Sequence, residues 1–365
     1  MPLANVRVKH LARGMLKFRI PHAPHMAEKP DSPANMRTSF DPSIQTEDIA
    51  FSSDEMVSCE CGRMSPPNRF KCLYCGRDLD IRPDKAGFGE LKLRRLEMWE
   101  RGFNVVFLDH NEDASIDTGS IAAFLSLETK IIDAIFSGGL PLPLVRVESE
   151  KEADTIGRGL EQMGLNTMIV SDVDLASDRP PTRLSGMVFE PDSVGLRAFN
   201  TGDMAVVPTS DLVVLVSGSI ETGRVEAVEK KRRGSTEIID EAATRSDEAI
   251  LDIYARGYPL GFRVNLAGFD FSCLGPEKGL LAVENMTKLS SALRTHAPGA
   301  AFVDDYQKAR PFLGDIWEVD IKRSPTGLQR SAFARRDYGS VTSSSNLDQF
   351  TRYSRLQRHL YESKR

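Results

Sequence analysis

Residues 59–79 read CECGRMSPPNRFKCLYCGRDL, and the spacing of their four cysteines decides how the N-terminal part of the chain is built. Cys59 and Cys61 form a C-x-C pair, ten residues intervene, and Cys72 and Cys75 form a C-x2-C pair. Cysteine thiolates bind zinc tetrahedrally, and a four-cysteine set leaves no coordination position for water. Gly62 and Gly76 each follow the second cysteine of a pair. Glycine there lets the chain turn so that backbone N–H groups point at the sulfurs. A unit of about 25 residues is too small to fold on apolar burial alone, so metal binding supplies its folding energy, on the order of 10 kcal/mol. The expectation is one structural Zn2+ held by Cys59, Cys61, Cys72 and Cys75. The alternatives at these positions are two reducible disulfides or free thiols. Cys273 lies outside the set, between apolar residues, and reads as a core thiol.

The segment 56–80 resembles the zinc-ribbon family of two C-x-x-C-G knuckles, with a first knuckle one residue short. The resemblance implies a small docking or capping module. Arg63, Arg69, Lys71, Tyr74 and Arg77 sit on the knuckles and form either a nucleic-acid-facing patch or an ordinary solvated surface.

Outward from the ribbon, residues 1–55 are rich in Pro, Ser, Asp, Glu and Met without sustained periodicity, and read as a disordered arm. Met56 is an alternative start. Residues 81–99 read as a linker. Residues 100–175 carry the order β-α-α-β-α-β. FNVVFLD and LPLVRV are apolar strands. TGSIAAFL is a helix, and a second helix opens at Leu127 and Glu128. Ser149 with Glu152 forms a capping box for a helix over 150–163, with Ala153, Ile156, Leu160 and Met163 on one stripe. NTMIVSD is the last strand. This order, FNVVFLDHNED as strand plus acidic turn, and ESEKEADTIGRGLEQMGL before the last strand resemble the fold shared by the ribosomal stalk protein's C-terminal domain and the Clp protease adaptor family. In the adaptor family the turn grips a peptide N-terminus. Asp109, Asn111, Glu112 and Asp113 occupy comparable ground here.

Residues 184–313 read as strands followed by an amphipathic helix over 276–296 and a short one over Tyr306–Leu313. In element order they resemble a pleckstrin-homology-like barrel with a capping helix. FDFSCL is taken as the last strand, and the charged stretch 222–248 as a long exposed loop or ribbon. The expected fold class is therefore multi-domain α+β: zinc ribbon, small α/β domain, and strand-rich barrel-like domain.

Residues 322–365 read as a basic C-terminal tail. They hold ten Lys/Arg against three Asp/Glu, whereas the whole chain of 365 residues is at −5, leaving −12 on the remainder. Arg352, Arg355 and Arg358 lie on a basic amphipathic helix within LDQFTRYSRLQRHL. The tail either docks on the acidic body or a partner protein, or binds nucleic acid.

The chain is 41% hydrophobic and 27% charged, as globular proteins are. No apolar run approaches a membrane span, and no secretory signal is evident, so the cytoplasm is the expected compartment. Phosphate-loop, dinucleotide-binding, zinc-protease and serine-hydrolase motifs are all missing from the sequence. His110, His296 and the pair Asp304-Asp305 have no evident catalytic partners. The expected function is a non-enzymatic zinc-ribbon adaptor or scaffold binding other proteins. The alternative is a nucleic-acid- or ribosome-associated protein using the ribbon patch and the tail.

Overall fold

In the computed structural model, strand β1 (Val57–Ser58) pairs with β2 (Met64–Ser65) across the first knuckle. The structure describes residues 51–81, 91–110, 116–232, 235–332 and 335–363, with backbone only at 228–232, 235–241, 326–332 and 335–338. The arm up to residue 50, linker residues 82–90 and the acidic-turn residues Asn111, Glu112 and Asp113 lie outside the described residues.

The next elements follow the expected order: β3 (Phe103–His110), α1 (Thr118–Leu125), α2 (Thr129–Gly138), β4 (Leu142–Val147), α3 (Glu150–Gln162) and β5 (Leu165–Ser171). The three strands form an antiparallel sheet in the order β4-β3-β5. Both halves of the α3 capping box are made: the Ser149 hydroxyl accepts from the Glu152 N–H, and the Glu152 carboxylate accepts from the Ser149 N–H. Gly164 follows at φ +90°, a left-handed position that suits glycine after a helix end. Ala153, Ile156 and Leu160 are fully buried. An added Cβ at Gly159 would stand 2.7 Å from the Phe124 ring, so the small residue lets α3 cross α1 closely.

A one-turn helix, α4 (Asp172–Leu175), leads into the large sheet. Its strands are β6 (Thr182–Glu190), β7 (Ser193–Ala198), β8 (Met204–Pro208), β9 (Leu212–Arg232), β10 (Ser235–Ala255) and β11 (Tyr258–Asn265). After α5 (Ala282–His296) come β12 (Ala301–Val303), α6 (Tyr306–Leu313), β13 (Asp320–Ala332), β14 (Arg335–Ser345) and α7 (Leu347–Ser363).

The strand path is β13-β14-β9-β10-β11-β6-β7-β8, with β12 beside β9, and it does not close. The barrel expected from the strand count is therefore corrected to an open sheet. The departure lies in the pairing. β11 joins β6 in parallel through Phe262↔Thr182, and the far side of the sheet is extended by β14 and β13 instead of returning to β8. FDFSCL is not a strand: Phe271–Glu277 is a 3-10 turn, with Gly275 at φ +53° followed by Pro276. The helix expected from residue 276 begins at Ala282.

Alternation along β9 and β10 separates two cores. Val214, Val216, Ile250 and Tyr254 share one apolar cluster with α6, α7, the small α/β sheet and the ribbon. Leu215, Leu251 and Ile253 face a second cluster with Leu289 and Leu293 of α5. Phe51–Arg365 make up one unit.

The expected basic tail packs on the body of the same chain, one of the docking readings open for it. Its first half is the hairpin β13–β14, paired onto β9 from Tyr338↔Glu229 to Ser345↔Thr222. Its second half, α7, is buried continuously from Gln349 to Gln357. The helix is wedged between the sheet and the small α/β module. The Arg352 guanidinium donates to Asp172 at 2.9 Å, and Arg355 donates to the Leu175 carbonyl at 2.9 Å and to those of Ala176 and Arg179. On the other side, the Ser354 and Tyr254 hydroxyls meet at 2.9 Å, and Thr351 accepts from Arg263 at 3.1 Å. Arg263 is itself bidentate to buried Asp252, at 2.6 and 2.7 Å.

Candidate metal centre

Two backbone loops carry the four cysteines. The Cys59 N–H donates to the Arg63 carbonyl at 2.9 Å and the Gly62 N–H donates to the Cys59 carbonyl at 2.8 Å. The second loop repeats the pattern: Cys72 N–H to the Arg77 carbonyl at 2.8 Å, and Gly76 N–H to the Cys72 carbonyl at 3.0 Å. Gly62 and Gly76 have φ +79° and +70°, where a side chain would be strained. Each knuckle is thus closed by a glycine in the left-handed region, the first in a turn one residue tighter than the second.

This folding brings all four sulfurs within 4.8 Å of one another. Cys59 and Cys75 Sγ lie 3.5 Å apart, and Cys61 and Cys72 Sγ 3.8 Å. A disulfide needs about 2.05 Å, so all four are free thiols. A tetrahedral zinc site with Zn–S bonds of about 2.3 Å has sulfur–sulfur edges of about 3.8 Å. The four side chains can therefore hold a metal ion such as zinc, and their sulfur-only donor set suits it.

Surrounding dipoles support the charged form at Cys72. The Ser65 hydroxyl donates to its sulfur, as does the Tyr74 N–H, each at 3.5 Å, and together they bring the thiol down to about 6. At Cys59 the Cys61 N–H lowers the thiol, but burial and the neighbouring thiols outweigh it and push Cys59 up to about 12. Four sulfurs this close cannot all ionise without a cation among them. Ser65 also accepts from the Leu73 N–H at 3.4 Å, so this fully buried hydroxyl ties the second knuckle to β2. Ser65 is the supporting residue that sequence reasoning missed, since a serine between a methionine and two prolines carries no local signal.

The ribbon is bonded into the rest of the unit. Cys59, Cys72, Phe70 and Leu79 belong to the same apolar cluster as the small α/β sheet. Lys92 N–H donates to the Asn68 carbonyl at 3.0 Å, and Lys71 pairs with Glu148 at 2.8 Å. A groove of about 480 Å³ along this joint is lined by Arg69, Lys71, Lys92, Arg94, Glu148 and Glu152, among others. The expected basic patch is partly spent on internal contacts: Arg77 pairs with Glu60 at 3.1 Å, and Arg63 lies 4.5 Å from the Tyr74 ring centre.

The other residues singled out in the sequence do not converge. Cys273 is half-buried in the 3-10 turn. His296 Nε2 lies 3.1 Å from the Ser193 carbonyl, its ring against Phe189. His110 is exposed at the end of β3, and Asp305 pairs with Lys308 at the start of α6. Arg352 and Arg355 are buried, while Arg358 donates to the Pro259 carbonyl and pairs with Glu362. Arg352 and Arg355 therefore do not form part of a solvent-facing basic surface. Among the described residues no helix is long and apolar enough to cross a membrane.

Comparison of the chain with protein-family models, with curated proteins and with solved structures gives no match. The likeness to the pleckstrin-homology-like barrel rests on element order alone, and that to the stalk and adaptor fold on element order with the segments FNVVFLDHNED and ESEKEADTIGRGLEQMGL.

Proposed function

We propose that the chain is a non-enzymatic adaptor of the cytoplasm, with one structural zinc held by Cys59, Cys61, Cys72 and Cys75. The observation that carries this reading is the closed sulfur set on knuckles that expose three large apolar side chains among their charged ones. Leu73 and Tyr74, between the second pair of cysteines, are 53% and 58% exposed, and Met64 at the first knuckle is 42% exposed. The zinc fixes the loops that display these side chains, and the ribbon's bonds to the α/β module fix the loops to the body. A protein partner covering Leu73 and Tyr74 would gain the apolar burial that the free chain forgoes.

The test is a double substitution, Leu73→Asp with Tyr74→Asp, in the full chain. The variant should keep its zinc and lose a stoichiometric protein partner that the unaltered chain retains. Retention of that partner by the variant removes the docking role. Turnover of a small molecule by the purified chain removes the non-enzymatic reading.

A further inference from the structure

Two short segments with the same order of side chains meet at the joint between the ribbon and the α/β module. Arg69-Phe70-Lys71 belongs to the ribbon and Lys92-Leu93-Arg94 to the linker, each a cation, an apolar residue and a cation. The Lys92 N–H donates to the Asn68 carbonyl at 3.0 Å, so the two segments lie side by side. All six residues line the groove of about 480 Å³, and Val147, Glu148 and Glu152 complete its wall. A space of this volume takes a small ligand or a few residues of a peptide.

The groove sets four cations against two carboxylates, and both carboxylates are already engaged. Glu152 accepts from the Glu148 N–H at 3.0 Å and from the Ser149 N–H at 3.3 Å, at the start of α3. Glu148 stands between the two segments, 2.8 Å from Lys71 and 3.6 Å from Arg94. Arg94 also pairs with Glu100 at 2.6 Å. The last cation of each segment thus shares one carboxylate. The first cation of each, Arg69 and Lys92, pairs with no carboxylate among the described residues. Glu148 shows how the groove receives an anion: one carboxylate bridges the ribbon and the linker.

The rest of the lining decides the kind of anion. Phe70 is buried, so the groove offers no free aromatic face for a base to stack on. Glu148 and Glu152 repel the continuous charge of a phosphate backbone. An acidic peptide brings separate carboxylates, and one of them fits between Arg69 and Lys92 as Glu148 fits between Lys71 and Arg94.

We propose that this groove binds an acidic peptide segment of a partner protein, with one carboxylate held between Arg69 and Lys92 and a second competing with Glu148 for Lys71 and Arg94. The groove is a different surface from Leu73 and Tyr74, so the proposal goes beyond the adaptor reading of the ribbon.

The experiment titrates the full, reduced chain into fluorescein-labelled hexaglutamate and reads fluorescence anisotropy. At about 50 mM salt a dissociation constant on the order of 10⁻⁴ M is expected, the strength of a few exposed charge pairs. At about 500 mM salt binding should weaken at least ten-fold, because screening acts on such pairs. Arg69→Ala with Lys92→Ala should weaken binding at least ten-fold at unchanged zinc content and thermal midpoint. Glu148→Gln should tighten it about three-fold, because Lys71 and Arg94 lose their competing carboxylate. Leu73→Ala with Tyr74→Ala should leave it within about two-fold, so failure of this proposal and failure of the Leu73–Tyr74 docking role are told apart. Absence of binding at the lower salt overturns the proposal, as does undiminished binding by Arg69→Ala with Lys92→Ala, or weakened binding by Glu148→Gln. Tighter binding of a single-stranded DNA of about 15 nucleotides than of hexaglutamate, lost in the same double variant, overturns it in favour of a nucleic-acid groove.

Discussion

Asp172, at the start of α4, accepts from Arg352 of α7 at 2.9 Å, a contact between residues 180 positions apart. The other carboxylate oxygen faces Arg146 of β4 at 2.6 Å and accepts from the Gly102 N–H at 2.8 Å, while Asn104 donates to the first at 3.0 Å. The Asp172 side chain is 4% exposed, so its charge is stabilised by these donors and scarcely by water. Asn104 in turn accepts from the Trp317 indole at 2.9 Å. The small sheet, the segment after α6, and α7 are thus joined through one buried carboxylate.

Removing the carboxylate takes from two buried guanidinium groups the acceptor they share, leaving Arg352 only Asp348 and Arg146 only the carbonyls of Glu97 and Glu100, whereas removing one guanidinium leaves Asp172 the other. Asp172→Ala is therefore expected to cost about 3–5 kcal/mol and Arg352→Met less, about 1–3 kcal/mol. Urea unfolding of both variants measures the order. Equal costs would mean that Arg146 does not compensate.

At Gly218 of β9 the ring of Phe350 from α7 packs directly on the strand backbone. A Cβ there would stand 2.4 Å from the Phe350 ring and 3.1 Å from Tyr306. Gly218→Ala should push α7 outward and lower stability by about 1–3 kcal/mol, the usual cost of overfilling a packed site. The thermal midpoint reads the loss, and an unshifted midpoint would mean that the helix yields freely.

Much of this was legible in local sequence, and α7 shows where legibility ended. The cysteine spacing, the capping box at Ser149 and the β-α-α-β-α-β order depend on residues within one turn or one strand of each other, and the structure shows each of them in place. The helix in LDQFTRYSRLQRHL was legible too. Docking of the tail on the body was one of its two readings, but the depth of burial was not legible, because the partners of Arg352 and Arg355 lie about 180 residues upstream. The open sheet was hidden for a similar reason: strand count does not reveal that β11 and β6 pair in parallel. β12, at three residues, was too short to show periodicity.

Cys273 provides a check on the assignment of the fifth thiol. Burial pushes it up to about 11, so at pH 8 only about 0.1% is thiolate, against roughly a quarter for an ordinary cysteine. Iodoacetamide should alkylate it roughly 200-fold more slowly than a free cysteine at that pH, with the rate rising toward pH 11. Cys273→Ser should leave metal content unchanged. Rapid labelling at pH 7 would contradict the burial of this thiol.

The central claim is that Cys59, Cys61, Cys72 and Cys75 hold one zinc, and elemental analysis of reduced, purified protein tests it most directly. One zinc per chain is expected, falling sharply in Cys72→Ser, where a tetrahedral site loses a ligand that the Ser65 hydroxyl supports. No zinc in the reduced protein, or one zinc per chain surviving Cys72→Ser undiminished, would contradict the account.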